Sequence, residues 1–259
     1  MQQPKQYIAT MFFLQFILFV STSVSSGFSA ASSTVNLAVI EIGKPYGYRN
    51  TDGTPSGIYN DITRRIVDVS KIDNTITLLP YKRMINGMED GTIDCAIFFT
   101  SIDRKKQYSQ VEMIVKKQVI IITNPFSRPE NRITLNNVES FEGKIVGKLR
   151  SAHYGERFEN NHNIIKKELN DYEDALQMLA SGKIDGFIGG KDNIEQFFDH
   201  QNHYLLVNTK EAWLQCSKIQ PHMNSDIIDQ LKSAIQSLIK NNDIINIHRK
   251  YIENFQPPR

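Results

Sequence analysis

Ile85-Asn86-Gly87-Met88-Glu89-Asp90-Gly91-Thr92-Ile93-Asp94-Cys95-Ala96-Ile97 is echoed by Leu176-Gln177-Met178-Leu179-Ala180-Ser181-Gly182-Lys183-Ile184-Asp185-Gly186-Phe187-Ile188, 91 residues further on. Six positions match in register: Ile85, Met88, Gly91, Ile93, Asp94 and Ile97 recur as Leu176, Leu179, Gly182, Ile184, Asp185 and Ile188. In each copy apolar residues three apart suit one face of a helix, the glycine suits a left-handed helix stop, and Ile-Asp-x-x-Ile suits a short buried strand. Helix, glycine, strand is also the commonest step of any α/β chain. The shared register favours two similarly built lobes over chance recurrence.

Outward from these units the chain alternates as a parallel-sheet protein does. Val35 to Glu41 is a predicted strand, Ile58, Ile62, Ile66 and Val69 form one helix face, and a strand at Thr75 to Leu79 leads into the first unit. Val119 to Thr123 is a β-branched run ending at Asn124-Pro125, and Lys144 to Leu149 is a strand that runs into the loop Arg150 to His153, ahead of a helix. After the second unit come a helix around Asn193 to Phe198 and a strand at Tyr204 to Val207. Two amphipathic helices close the chain, one lined by Ile227, Ile228, Leu231, Ile235 and Leu238 with Asn224 or Ser225 as N-cap, the other by Ile244, Ile247, Tyr251 and Phe255. Gln256 to Arg259 form a frayed tail.

With 259 residues the chain can hold one large or two small cores. Its first thirty residues have the order of a secretory leader: Lys5, the apolar run Met11 to Val20, then the small-residue tract Ser21 to Ser33, with a cut after Ala31 or, as the alternative, near Gly27. The apolar run is about half of the roughly 20 residues that cross a bilayer. Without residues 1–31 the 30 basic and 28 acidic residues become 29 and 28, a balance that gives no argument for nucleic acid or a membrane surface. The basic stretches Arg104 to Lys106 and Lys116-Lys117 read first as solvated faces. Cys95 and Cys216 are the sole cysteines, able to pair after export but too few to staple a scaffold.

Motifs for catalysis, metal or phosphate are absent: there is no Gly-x-Ser-x-Gly, His-Glu-x-x-His, Walker or dinucleotide fingerprint. His200 and His203 lack the further ligands that would complete a metal site. No catalytic residue, metal or cofactor is expected.

Gly91-Thr92-Ile93-Asp94-Cys95-Ala96-Ile97-Phe98-Phe99-Thr100-Ser101-Ile102-Asp103-Arg104-Lys105-Lys106-Gln107-Tyr108 resembles the bacterial extracellular solute-binding proteins of family 3, the periplasmic receptors of polar amino-acid ABC transporters. The family pattern is Gly, two residues, Asp, an apolar strand, then Thr-Pro-Glu-Arg and Lys-Lys; Ser101-Ile102-Asp103-Arg104 holds the penultimate place. The resemblance runs from about Asn36 to Phe255, through Pro45-Tyr46-Gly47-Tyr48, Gly57-Ile58-Tyr59-Asn60-Asp61, Val138 to Gly143, Ala180 to Asp185 and Ile247 to Phe255. It implies an α/β, two-lobed, type II periplasmic-binding-protein-like fold, each lobe a mostly parallel sheet flanked by helices. Residues 35–113 plus 214–259 would form the first lobe and 119–210 the second, with hinges near 114–118 and 211–215. That topology makes the strands of Cys95 and Cys216 antiparallel neighbours with the cysteines toward opposite ends, which argues against a bond.

The same resemblance supplies a ligand-binding set. Arg104 holds the place of the arginine that forks onto the solute's carboxylate; against this stands a surface ion pair with Asp103 or Glu112. Tyr81 takes the place of an aromatic wall, and Tyr46 lies beside the cleft, where packing is the alternative. Phe98-Phe99, followed by Thr100-Ser101, replaces the small residues at the strand end and suggests a smaller or more aromatic solute. Ser151 and Ala152 stand where the family uses backbone N–H groups at a helix N-terminus, while Arg150 and His153 depart from its Gly-Ser-Thr loop. At Gly190 the family's amino-acid binders carry an Asp for the α-ammonium; here it is missing, with Glu41 or Asp192 as substitutes, and Lys191 and Arg150 point toward a more anionic solute.

The expectation is therefore a periplasmic, monomeric receptor that captures a small carboxylate-bearing solute, an amino acid or related acid, for a membrane ABC permease. A lyase on the same scaffold, with Glu41 and His153 as acid and base, and a soluble sensory protein are the alternatives.

Overall fold

Strands covered on both faces need nearly unbroken apolar runs, and Val35–Glu41 supplies one as β1, with Val35, Leu37, Ala38, Val39 and Ile40 buried. The structure is a computed structural model that describes residues 34–124, 133–197, 204–253 and 255–258. The leader expected at 1–31, Phe198, His200, His203 and Arg259 lie outside those residues. A short hairpin, β2 (Tyr48–Arg49) with β3 (Pro55–Ser56), precedes α1 (Ile58–Ser70). Helix α1 turns Ile58, Ile62 and Ile66 fully inward, each burial contributing about 1.5–3 kcal/mol. Then come β4 (Asn74–Pro80), α2 (Tyr81–Asp90) and β5 (Cys95–Phe99).

A single turn and a half of helix, α3 (Ile102–Gln107), leads into the long strand β6 (Tyr108–Thr123), of which the predicted run Val119 to Thr123 is only the end. The order of the first half then repeats: β7 (Ile145–Leu149), α4 (Glu156–Glu159), β8 (Ile165–Leu169), α5 (Tyr172–Ala180) and β9 (Gly186–Gly190). Helix α6 (Lys191–Glu195) and the second long strand β10 (Tyr204–Ser217) follow. The chain closes with α7 (Ser225–Lys240), capped by Asn224, and α8 (Asp243–Tyr251).

The eight strands stand in the order β4-β1-β5-β10-β6-β9-β7-β8. β4, β1 and β5 are mutually parallel, as are β9, β7 and β8, and β10 and β6 pair antiparallel between the two sets. Each half therefore has the mostly parallel sheet that the sequence predicts. The long strands pair from Tyr204↔Ile122 to Ser217↔Tyr108, so the halves share one continuous sheet. The register slips between Leu206 and Asn208, between Ala212 and Trp213, and between Leu214 and Gln215, and such bulges bend the strand that carries them.

The sequence echo is realised atom for atom. Asp94 N donates to Asn36 O and Asp94 Oδ2 accepts from Asn36 N, both at 2.7 Å. Asp185 repeats this on Ile145, both bonds at 2.8 Å. The paired stops Gly91 and Gly182 take φ of 82° and 70°, a region closed to most side chains.

The expectation against a disulfide fails. Cys95 and Cys216 lie directly opposite each other in the β5–β10 register and are bonded. Because β10 runs fourteen residues from one half into the other, residue 216 reaches its far end, and the far end of an antiparallel strand lies beside its neighbour's first residue, Cys95. The helix expected beyond Arg150 to His153 is present as the one-turn α4, starting at Glu156.

Candidate functional site

Arg104 is the third residue of α3, whose N-cap Ser101 accepts the Arg104 backbone N–H on Oγ at 3.3 Å. That cap turns the chain so that the arginine points back under β5. The side chain is buried, with its guanidinium 5.0 Å from the Phe98 ring and 5.7 Å from the Tyr81 ring. Nη1 donates to Phe99 O at 2.7 Å and to Tyr81 Oη at 3.0 Å; Nη2 donates to Ser151 O, on the other half, at 2.8 Å. The surface alternative fails, since Asp103 pairs with Lys106 and Glu112 accepts from Gln236. The rest of the run, Lys105 and Lys106, is exposed. The end of β5 is held by Thr100 N on Glu211 O and by Gln215 Nε2 on Phe98 O.

Beside Arg104 a cavity of about 30 Å³ separates the two halves, the space of one or two waters. Ile40, Ile42, Tyr59, Tyr81, Phe98 and Phe99 wall it on one side, Leu149, Ala152, Tyr154 and Tyr172 on the other. Phe99 and Tyr154 meet across it edge-on, centroids 6.5 Å apart. Its remaining lining is polar: Lys117 and Asn193.

Lys117 overturns the reading of Lys116-Lys117 as a solvated face. It projects from β6 and is 2% exposed, with Nζ 3.2 Å above the Tyr46 ring, 3.2 Å from Asn193 Oδ1 and 4.0 Å from Asp192 Oδ2. Lysine beside lysine on a strand faces opposite ways, so one of the pair goes inward. Burial pulls the Lys117 ammonium down to about 7 against the pull of Asp192. The phenols of Tyr46, Tyr59, Tyr81, Tyr154 and Tyr172 are all pushed up by burial, so they are hydrogen-bond donors at neutral pH.

Tyr172 was not anticipated, although it stands 91 residues after Tyr81 and the echo, carried four positions upstream, marks it. Both open their helices. Tyr81 Oη meets Arg104, and Tyr172 Oη accepts Gly190 N at 2.9 Å. Tyr46 is fully buried, with its hydroxyl on Asp192 Oδ2 at 2.6 Å, which ties the loop after β1 to α6. It underlies Lys117 and does not line the cavity.

The loop Arg150 to His153 works differently from the expected anion cradle. Ala152 N is spent on Leu149 O, and Ser151, at φ 64°, offers its carbonyl to Arg104. Arg150 pairs with Glu168 on the surface. His153 lies 3.4 Å from Lys210 Nζ and 3.3 Å from Glu156; burial first, then the Lys210 charge, lowers its pKa. Lys210 is itself lowered to about 8 by burial and by Arg104.

Neither substitute acid faces the cavity. Asp192 is engaged by Tyr46, and Glu41 pairs with Arg49 at 3.2 Å. Glu41 lines a separate outer cleft of about 640 Å³, together with Lys44, Arg49, Asp171, Glu173 and Tyr172. His153 lines neither space, so Glu41 and His153 are not assembled as an acid–base pair. Among the described residues no cluster of three or more His, Cys, Asp or Glu could hold a metal, and no helix is long and apolar enough to cross a membrane.

Two βαβαβ halves joined by a long antiparallel strand pair, with a buried arginine at their junction, define the two-lobed type II periplasmic-binding fold. The chain belongs to the bacterial extracellular solute-binding proteins, family 3, whose family model matches residues 35–254. No curated protein sequence matches it. Among solved structures it is similar to a mutant of ArgBP from T. maritima, at 14% identity and a TM-score of 0.72, covering 84% of this chain and 94% of that one. The arginine-, lysine-, histidine-binding protein ArtJ from Geobacillus stearothermophilus gives 15%, 0.71, 88% and 97%. The ancestral amino acid-binding protein AncCDT-1, a precursor of cyclohexadienyl dehydratase, gives 11%, 0.71, 85% and 96%.

Proposed function

We propose that this protein is a periplasmic, monomeric solute receptor that closes its two lobes on a small carboxylate-bearing solute, an amino acid or related acid, and delivers it to a membrane ABC permease. The lobes would be residues 35–113 plus 214–259 and residues 119–210, bending at 114–118 and 211–215 after removal of residues 1–31 as an export leader. The slip between Ala212 and Trp213 falls inside the second bend, and the residue it skips on the partner strand between Val115 and Met113, Ile114, opens the first.

The observation that carries this reading is Arg104. Its guanidinium is buried at the junction and forms no ion pair with the described residues. One Nη2 hydrogen bond, to Ser151 O, holds the far lobe. Opening breaks that bond, and a carboxylate entering the gap takes its place with two parallel charge-assisted bonds, each worth roughly 1.5–3 kcal/mol. Tyr81 steers the guanidinium, Ser101 holds its helix, and Phe99 and Ala152 close apolar surface over the solute. The relatives named above as amino-acid-binding proteins support the class of solute.

A melting-shift screen tests it. Mono- and dicarboxylates and amino acids are set against polyamines and neutral sugars. At 100 times the dissociation constant the bound solute adds about 2.7 kcal/mol. Carboxylates alone should raise Tm, and Arg104→Ala should abolish the rise; equal shifts in wild type and variant would remove Arg104 from the site.

A further inference from the structure

The cavity between the halves is lined by donors and by no acid. Lys117 brings an ammonium, Asn193 is 1% exposed and its Nδ2 has no acceptor, and the Tyr59 phenol is protonated. Asp192, the nearest carboxylate to Lys117, stands outside the lining with its Oδ2 already taking the Tyr46 hydroxyl. β9 brings no acid either: Gly190 has no side chain, and a Cβ there would sit tightly, 3.0 Å from Asn193 Oδ1 and 3.2 Å from Lys117 Nζ.

A solute whose carboxylate lies on Arg104 presents the group on its next carbon to this same lining. An ammonium there would face the Lys117 ammonium, whose one near carboxylate, Asp192 at 4.0 Å, stands outside the lining and already takes the Tyr46 hydroxyl, and like charges out of water repel strongly. An oxygen there meets two donors, one of them an Asn193 amide that otherwise stays buried and unpaired. The acids of the outer cleft, Glu41, Asp171 and Glu173, do not alter this: none of them lines the cavity, Glu41 is held by Arg49, and Asp171 caps α5 through Asp174 N.

The geometry points to a site that selects small carboxylic acids bearing no ammonium, with an oxo or hydroxyl oxygen on the carbon beside the carboxylate, and to Lys117 and Asn193 as its specificity-determining donors. This rests on the carboxylate-binding reading above and names its solute class. It runs against the amino-acid ligands of the structural relatives.

The test is a set of calorimetric titrations with matched pairs: pyruvate and L-alanine, phenylpyruvate and L-phenylalanine, 2-oxoglutarate and L-glutamate, with L-arginine alongside. At least one oxo acid should bind, and every pair with a binding member should favour the oxo acid tenfold or more. Lys117→Met, verified as folded by circular dichroism, should reduce that preference at least tenfold, and Lys117→Gln, which keeps a donor without charge, should fall between. L-amino acids binding as tightly as their oxo partners, or L-arginine binding most tightly, would overturn the inference and leave carboxylate capture intact. Absence of binding by all seven compounds would overturn both. An unchanged preference in both Lys117 variants would remove Lys117 from the selection.

Discussion

Lys117 Nζ lies 3.2 Å from the point where a Cβ on Gly190 would stand, so the missing side chain at 190 and the buried ammonium at 117 occupy one place. The sign of the pH effect follows from the direction of the Lys117 shift. With its pKa near 7 when folded and 10.5 as its ordinary value, the unfolded chain holds more protons between those values, so this group makes stability rise with pH across that window. Lys117→Met removes the buried charge and is expected to stabilise the unliganded protein by about 1–4 kcal/mol near pH 6, the gain shrinking toward pH 10. Urea unfolding at the two pH values checks it; a gain that does not change with pH would mean that charge is not its source.

Tyr46 Oη on Asp192 Oδ2, at 2.6 Å, fastens the two halves at a second point besides Arg104 on Ser151 O. Tyr46→Phe keeps the ring under Lys117 and deletes the bond, at a cost of about 1.5–3 kcal/mol. The melting temperature should fall, and the radius of gyration by small-angle scattering should rise as the closed form loses a fastening. A variant as compact and as stable as wild type would show that this bond fastens nothing.

Cys95–Cys216 closes a loop of 121 residues, and removal of such a link typically costs about 2–5 kcal/mol. The double variant Cys95→Ala, Cys216→Ala should unfold at correspondingly lower denaturant. An unchanged midpoint would mean that the surrounding strands already fix the register.

His248 is fully buried, stacked on Phe255 at 4.3 Å, with Nδ1 on Ile244 O and Nε2 without a partner. Burial holds its pKa near 4, down from the ordinary 6.5. The unfolded chain binds the extra proton between these values, so stability falls as pH drops from about 6.5 to 4. His248→Phe should flatten that acid limb in a Tm-versus-pH series; an identical limb would assign the loss to other groups.

The layout of the fold was legible because it rests on local pattern. Apolar spacing placed α1, α7 and α8, and the Gly-x-Ile-Asp echo placed two equivalent halves down to the Asp94 and Asp185 bonds. What was hidden depends on pairing. The β5–β10 register decides the disulfide, and a half-turn's difference in facing decides that Lys117 goes inward while it looks from sequence like part of a basic surface run. Tyr172 was hidden differently: the echo reaches it, four positions upstream of its first matched residue. The loop at Ser151 shows the limit of carrying a motif over, since its carbonyl, where an amide donor was expected, faces the site.

The most direct test of the account as a whole is a titration at Arg104. The acid giving the largest melting shift among pyruvate, phenylpyruvate and 2-oxoglutarate is titrated calorimetrically into wild type and Arg104→Ala. Losing two charge-assisted bonds, about 3 kcal/mol or more, should weaken binding by roughly 100-fold or more from a one-to-one isotherm. The same affinity in both proteins would contradict it.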